Sequence, residues 1–371
     1  MPRTIQLQHP PAGFFATSVL PGATGLIEVF GFHTSDDGLD FTRRLEGCEE
    51  YITGTHDIRP SQIDHLLVVI APDGKATVYV NELVFTAKTQ VMRGIQAGEG
   101  VMLDDIADIT AIDVGVEIPP ECGVIFLFSW RWRKGFFFDL RPLAPRPSPR
   151  DYSFATMFAA CHCALMFPAM FSLTDDQWKK MIADGWFPFV GLRKSTVAEM
   201  VVHCQQGWDL ARLEPRIVEE CKQLAPRFAE FCEVSPVFKP HAKAIKAAAR
   251  HFASNDPLSA AHLLYPRIEG VLRGYLVESG EVPTRKFLDA ALKGGMVGRH
   301  NYCLLLLEAF DVYLRTVIFA GFDPANPAGV SRHTIAHGVV DANQCDERSV
   351  ALAFLSLHHL YYSLGPLQPK P

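Results

Sequence analysis

The sequence has no Cys-x-x-Cys pair, no long uninterrupted apolar run, no internal repeat and no low-complexity tract. Each absence excludes something. A membrane-spanning helix needs about 18 to 20 consecutive apolar residues, and charges or prolines break every candidate run before that. No membrane association is expected. The start, Met1-Pro2-Arg3-Thr4-Ile5-Gln6, lacks the apolar core of a signal peptide, which predicts a cytoplasmic chain. The nine cysteines are an odd number and mostly sit in apolar or helical surroundings. They read as reduced, buried thiols, not as a disulfide framework. An excess of positive charge is missing too. Lys and Arg total 35 against 41 Asp and Glu, a net charge of -6. That argues against a strongly basic nucleic-acid coat but leaves room for a local basic cleft.

What is present is a chain of 371 residues, 48% of them hydrophobic. That is enough for two or three domains, each with its own core. The 26 phenylalanines point to well-filled cores.

Strand signals dominate up to about residue 145. Leu66 to Ile70 and Ala76 to Val80 flank Pro72-Asp73-Gly74-Lys75, a hairpin pattern. A second hairpin is expected from Val124–Trp132 and Phe136–Leu140, turning at Arg133-Lys134-Gly135. Its aromatics either fill a core or form a stacking platform for bases, with Arg131, Arg133 and Lys134 as phosphate partners. Residues 106–116 alternate loosely and fit another strand, and one helix fits within 36–56. Four prolines within residues 141–150 mark a linker.

Helical periods follow. Segments 152–171, 175–184, 195–206 and 214–233 read as helices. Cys161-His162-Cys163 lacks a second ligand pair and does not share a helical face, so a metal site is not expected there. Further helices are expected over Ala242–Phe252, from Asp256-Pro257 onward, over Tyr302–Phe319, and from Asp346 to about Leu364. A linker at Gly321–Pro327 and a proline-rich tail from Gly365 complete the chain. The expected fold class is α+β and multidomain: a β-rich domain over residues 1–145, a helical middle region over 151–235, and a helical bundle over 241–364.

One stretch is dense in chemistry: Ser331-Arg332-His333-Thr334-Ile335-Ala336-His337-Gly338. Ser331 fits an N-cap and Gly338 the residue past the end of a two-turn helix. His333 and His337 then share a face, while Arg332 and His337 stand about 140° apart and flank a cleft. Three readings of this stretch compete. Zinc binding by the two histidines lacks the glutamate of the metalloprotease motif, since Thr334 occupies its place. The histidines and arginine also suit a structural role, bonding carbonyls and helix ends. Phosphodiester chemistry needs an imidazole to move a proton and a guanidinium to hold phosphate, and RNA brings its own nucleophile. Upstream, Glu269 and Arg273 form an i, i+4 pair at the edge of an apolar stripe, either a solvated salt bridge or a carboxylate that orients a cation.

The pattern Arg332-His333-x-x-x-His337-Gly338 resembles the Arg-x4–6-His signature of the HEPN superfamily. The stretch Ala260 to Arg273, with Leu263-Leu264-x-Pro266-x-Ile268-Glu269-x-x-Leu272-Arg273, is similar to a helix of its abortive-infection-like bacterial members. The resemblance covers residues 241 to 364 and implies a helical bundle, a homodimer and a metal-independent endoribonuclease acting in defence or stress, in some members as a toxin. It assigns phosphate binding to Arg332, proton transfer to His337, the polar slot after the arginine to His333 and orientation of Arg332 to Glu269. Ser331 stands where that subgroup has Asn, and serine caps a helix equally well. RNA is the partner it implies, with no cofactor or metal. Some members are catalytically silent binding or dimerisation modules, so that alternative stays open.

Overall fold

The computed structural model describes residues 2–7, 11, 13–16, 20–48, 62–284, 286–296, 299–323 and 329–364. The proline-rich tail and residues 324–327 of the expected linker lie outside them. The α+β layout expected from the sequence is present, with strands in the N-terminal region and helices in the rest. Among the described residues no helix is long and apolar enough to cross a membrane. All nine cysteines are buried and free.

The chain divides into two compact units. The first comprises Met1–Thr89, Ile109–Pro168 and His300–Tyr302; the second comprises Gln90–Asp108, Ala169–Arg299 and Cys303–Pro371.

The first unit is built on a six-stranded antiparallel sheet. Its strands are β1 (Arg3–Gln6), β4 (Phe30–Thr34), β5 (His65–Ile70), β6 (Lys75–Val80), β9 (Gly123–Trp130) and β10 (Arg133–Asp139), in the order β1-β6-β5-β9-β10-β4. A short pair, β2 (Phe14–Ala16) with β3 (Ile27–Glu28), belongs to the same unit, and β7 (Thr86–Val91) pairs with β8 (Ile106–Asp113) as a separate two-stranded sheet. Successive side chains point to opposite faces, so strands buried on both faces read as continuous apolar runs. One face sets Leu66, Val68, Ile125, Leu127, Phe136 and Phe138 in a core with Phe14 and Phe41, the latter on α1 (Leu39–Gly47). The other face turns Phe126, Phe128 and Phe137 toward α2 (Phe154–Met166), where Phe126 and Phe158 lie 4.1 Å apart. His162 stacks on Phe128 at 4.4 Å and bonds the Phe158 carbonyl of its own helix.

The phenylalanines of the hairpin are therefore core and not a platform for bases, while Trp132 at the turn is exposed. The cations beside them are also engaged. Arg133 binds Asp36 and the Leu165 carbonyl, and Lys134 Nζ donates to the Ile63 carbonyl at 2.6 Å. The hairpin turns at Arg131-Trp132, two residues before the place the sequence suggests. Arg133 pairs with Trp130 and Gly135 with Phe128. Gly135 is there for packing: a Cβ on it would come within 2.6 Å of the Phe128 ring. Arg131 takes the positive φ of the turn instead, at 56°. The proline run is anchored to the sheet. Buried Asp139 accepts both Nε and Nη2 of Arg141 at 3.0 Å and the Tyr152 hydroxyl at 2.7 Å.

The second unit is helical: α3 (Asp175–Ala183), α4 (Lys194–Gln206), α5 (Glu214–Val234), α6 (Ala242–Ala253), α7 (Pro257–Glu278), α8 (Phe287–Met296), α9 (Leu307–Tyr313), α10 (Arg332–Ala336) and α11 (Glu347–Ser363). Asp256 accepts the Ser259 amide at 3.1 Å and Pro257 fills the first turn, the start signal read from the sequence. Helix α7 packs against α6, α8, α10 and α11. Every residue of α11 from Ser349 to Leu360 is buried, as expected of a helix apolar on all sides.

Two expected helices are shorter than the sequence suggests. That over 152–171 ends at Met166, because Pro168 cannot continue the ladder. That over Tyr302–Phe319 begins only at Leu307. The Leu304 amide is taken by Asp108 at 3.0 Å, the Leu305 carbonyl by His359 at 2.7 Å, and Leu306 sits at a φ of 47°. Behind α9 comes a π-helical turn, Leu314–Ile318, closed by the Phe319 amide on the Leu314 carbonyl at 2.7 Å. Helix α8 and strands β1 to β4 and β7 have no counterpart in the sequence reading.

Candidate functional site

Helix α10 is set by its own caps. Ser331 Oγ accepts the Thr334 amide at 3.2 Å, and Thr334 Oγ1 accepts the Ser331 amide at 2.9 Å. This reciprocal pair holds two amides that a helix start leaves open. At the other end Gly338 takes a φ of 66°. Its amide bonds the Ile335 carbonyl, and the Val339 amide bonds the Thr334 carbonyl, both at 3.1 Å. These two bonds make a Schellman ending, which needs a residue tolerant of left-handed φ at this position. Five residues are thus fixed tightly enough to aim their side chains. Buried Thr334 and Ile335 face inward, while Arg332 and His333 are half-buried.

Arg332 reaches the neighbouring helix α7. Its Nη2 lies 2.6 Å from Glu269 Oε2, and Arg273 Nε lies 2.6 Å from the other oxygen, Oε1. One carboxylate therefore holds two guanidiniums, one per oxygen. The Glu269 side chain is only 14% exposed, so both pairs are stronger than free surface ion pairs. The i, i+4 pair read from the sequence and the carboxylate that orients a cation are the same residue doing both.

These groups line a cleft of about 550 Å³. Arg332, His333, Glu269 and Arg273 contribute from the residues the sequence singled out. Lys286 and Phe287 come from the start of α8, and Arg315 and Phe319 from the π-helical turn and its exit. Arg273 lies over the Phe287 ring at 4.3 Å, Phe287 meets Phe319 edge-on at 5.7 Å, and Phe319 meets His333 at 6.3 Å. Arg315 is held by Asp289 and, at 2.7 Å, by Asp311. The sequence reading missed Lys286, Phe287, Arg315 and Phe319. Arg315 carries only the ordinary signal of an i, i+4 pair with Asp311, and nothing local places it across from α10.

His333 is pushed below the usual imidazole range by burial first and by the Arg332 charge second, with Glu269 opposing. That shift favours the neutral ring. His337 stands at the C-cap of α10, exposed, its ring 5.5 Å from that of Phe322, and it does not line the cleft. The helix therefore brings Arg332 and His333 together with Glu269 and leaves His337 on the outer side. No group of three or more potential metal ligands among the described residues includes either histidine.

The arrangement suits an anion. Four cations line the cleft against the carboxylates of Glu269 and Asp289, and the aromatic rings offer flat apolar surface beside them. No family model, curated protein or solved structure matches the chain.

Proposed function

We propose that the helical unit carries a metal-independent endoribonuclease site of the HEPN type, used in defence or stress, which works as a homodimer. The observation that carries this reading is the position of Arg332, held by Glu269 at a cleft that gathers three further cations. A guanidinium so fixed presents its remaining N–H groups to a phosphate without first losing conformational freedom. RNA supplies the rest. The 2′-hydroxyl gives up its proton to a base, the 2′-oxygen bonds to phosphorus, the bond to the 5′-oxygen breaks, and that oxygen takes a proton. Arg332 stabilises the charge that gathers on the phosphate oxygens, and His337 moves the proton. Glu269 is a positioning residue for Arg332.

Arg332→Ala is expected to lower cleavage of single-stranded RNA about 100- to 1,000-fold in the presence of a chelator, the cost of one transition-state donor set. Gel analysis of labelled RNA reads the rate, and a thermal melt confirms that the variant is folded. A variant that cuts at the wild-type rate removes Arg332 from the chemistry. The second reading, a non-catalytic module that binds RNA or a nucleotide, is favoured by the exposed His337 outside the cleft. It predicts an RNA mobility shift, weakened by Arg332→Ala, with the RNA left intact.

A further inference from the structure

Arg332 Nη1 lies 3.4 Å from His333 Nδ1. A guanidinium carries donors only, so in this contact Nδ1 must accept. The one proton of the neutral ring then sits on Nε2. The charged and titratable groups around His333 support that state. Arg332 lies on its own helix and His337 at that helix's C-cap, Glu269 and Arg273 on α7, Lys286 just before α8 and Asp289 on it, and Arg315 on the π-helical turn. Glu269 is already shared by two guanidiniums, and Asp289 is engaged by Arg315. A second proton on His333 would add charge to a cleft whose carboxylates are spoken for.

A base must offer a lone pair toward the hydroxyl it deprotonates. His333 has none to offer: Nδ1 faces Arg332 and Nε2 carries the proton. We propose that His333 acts as a fixed neutral hydrogen-bond donor, its Nε2–H holding a non-bridging phosphate oxygen while its Nδ1 fixes Arg332, and that it transfers no proton during cleavage. This assignment rests on the RNA-cleaving reading and separates the two histidines of the motif. His337 does the proton transfer, and His333 joins Arg332 in holding the phosphate.

Two measurements test it. The first needs no RNA. Nitrogen-15 NMR of the ring in the full chain at pH 7 is expected to show His333 neutral with the proton on Nε2. In Arg332→Ala the tautomer preference is expected to weaken and the titration to move back up toward the ordinary range. A proton on Nδ1, or a charged ring at pH 7, would overturn the proposal. The second uses RNA. A glutamine amide nitrogen can stand where Nε2–H stands, so His333→Gln is expected to recover most of the roughly 100-fold or greater loss caused by His333→Ala. The acidic limb of its pH–rate profile should stay where the wild type has it, while His337→Gln abolishes activity. If His333→Gln is as slow as His333→Ala, or the acidic limb moves with it, His333 carries the proton and the proposal fails. Wild-type protein that cuts no RNA defeats the cleavage reading alone, and the NMR result still decides the state of His333.

Discussion

Lowering the pH from 7 to 4.5 is expected to strip roughly 5 kcal/mol of stability from the helical unit, comparable to the whole stability of a small domain. The cause is the pair His358 and His359 on α11. Both are buried, at 1% and 0% exposure. Burial, and then neighbouring positive charge, pushes each down to about 3. In the unfolded chain each titrates near the ordinary 6.5. The folded state therefore binds fewer protons than the unfolded state between those values, and stability falls as the pH falls. The contribution is complete above about 6.5 and is lost progressively on the way down to about 3, at about 1.4 kcal/mol per pH unit per histidine.

The two residues separate cleanly by substitution. His359 is satisfied on both sides, accepting the Val190 amide at 3.1 Å through Nδ1 and reaching the Leu305 carbonyl at 2.7 Å through Nε2. Neither nitrogen of His358 has a hydrogen-bond partner, and its ring packs against Phe228 and Tyr362. His358→Leu is expected to be tolerated at pH 7 and to halve the acid sensitivity. His359→Leu is expected to destabilise at every pH, because it orphans a buried amide and a buried carbonyl. Far-UV circular dichroism across an acid titration reads both. An acid midpoint unmoved by His358→Leu would refute the account.

Asp108→Ala is expected to cost about 3–5 kcal/mol, the penalty for leaving one partner of a buried ion pair uncompensated. Asp108 is 1% exposed and binds Arg299, whose side chain is 10% exposed. It also accepts the Cys303 thiol at 3.2 Å and the Leu304 amide at 3.0 Å. Arg299 in turn donates to the Tyr362 carbonyl at 2.9 Å. Removing the carboxylate strands the guanidinium and frees the backbone before α9. Replacing both partners by apolar residues, Asp108→Leu with Arg299→Met, should recover much of the loss, since an apolar pair avoids the desolvation of two charges. Thermal melts of the single and double variants decide it: a double variant no better than Asp108→Ala would mean that the bonds to Leu304 and Tyr362, not the charges, carry the stability.

How far the sequence went can be judged at single positions. Asp256-Pro257 marked the start of α7, and Ser331 and Gly338 marked both ends of α10, because caps are local chemistry written in adjacent residues. The Leu304–Leu307 run looked helical because its periodicity is the same whether or not the backbone is available. Asp108 and His359 take the needed amide and carbonyl from far along the chain. The hairpin turn was misplaced for a related reason: Gly135 advertises a turn but serves the Phe128 ring. The sheet order β1-β6-β5-β9-β10-β4 pairs strands far apart in sequence, and short edge strands carry little pattern of their own. At the site, Arg332, His333 and Glu269 were legible as a motif and an i, i+4 pair. Arg315 and Lys286 were not, since only the fold carries them to the same cleft.

The π-helical turn before the motif sets phase. It is one residue wider than a regular turn, and everything behind it is rotated accordingly. Closing the same residues as a regular α-helix would swing Phe319 and Ala320 by roughly 100°. Phe319 would leave His333, and the Ala320 carbonyl would leave Ser331 Oγ, which now donates to it at 3.2 Å. The wide turn thus works as a spacer: its extra residue aims Phe319 and the Ala320 carbonyl at the motif.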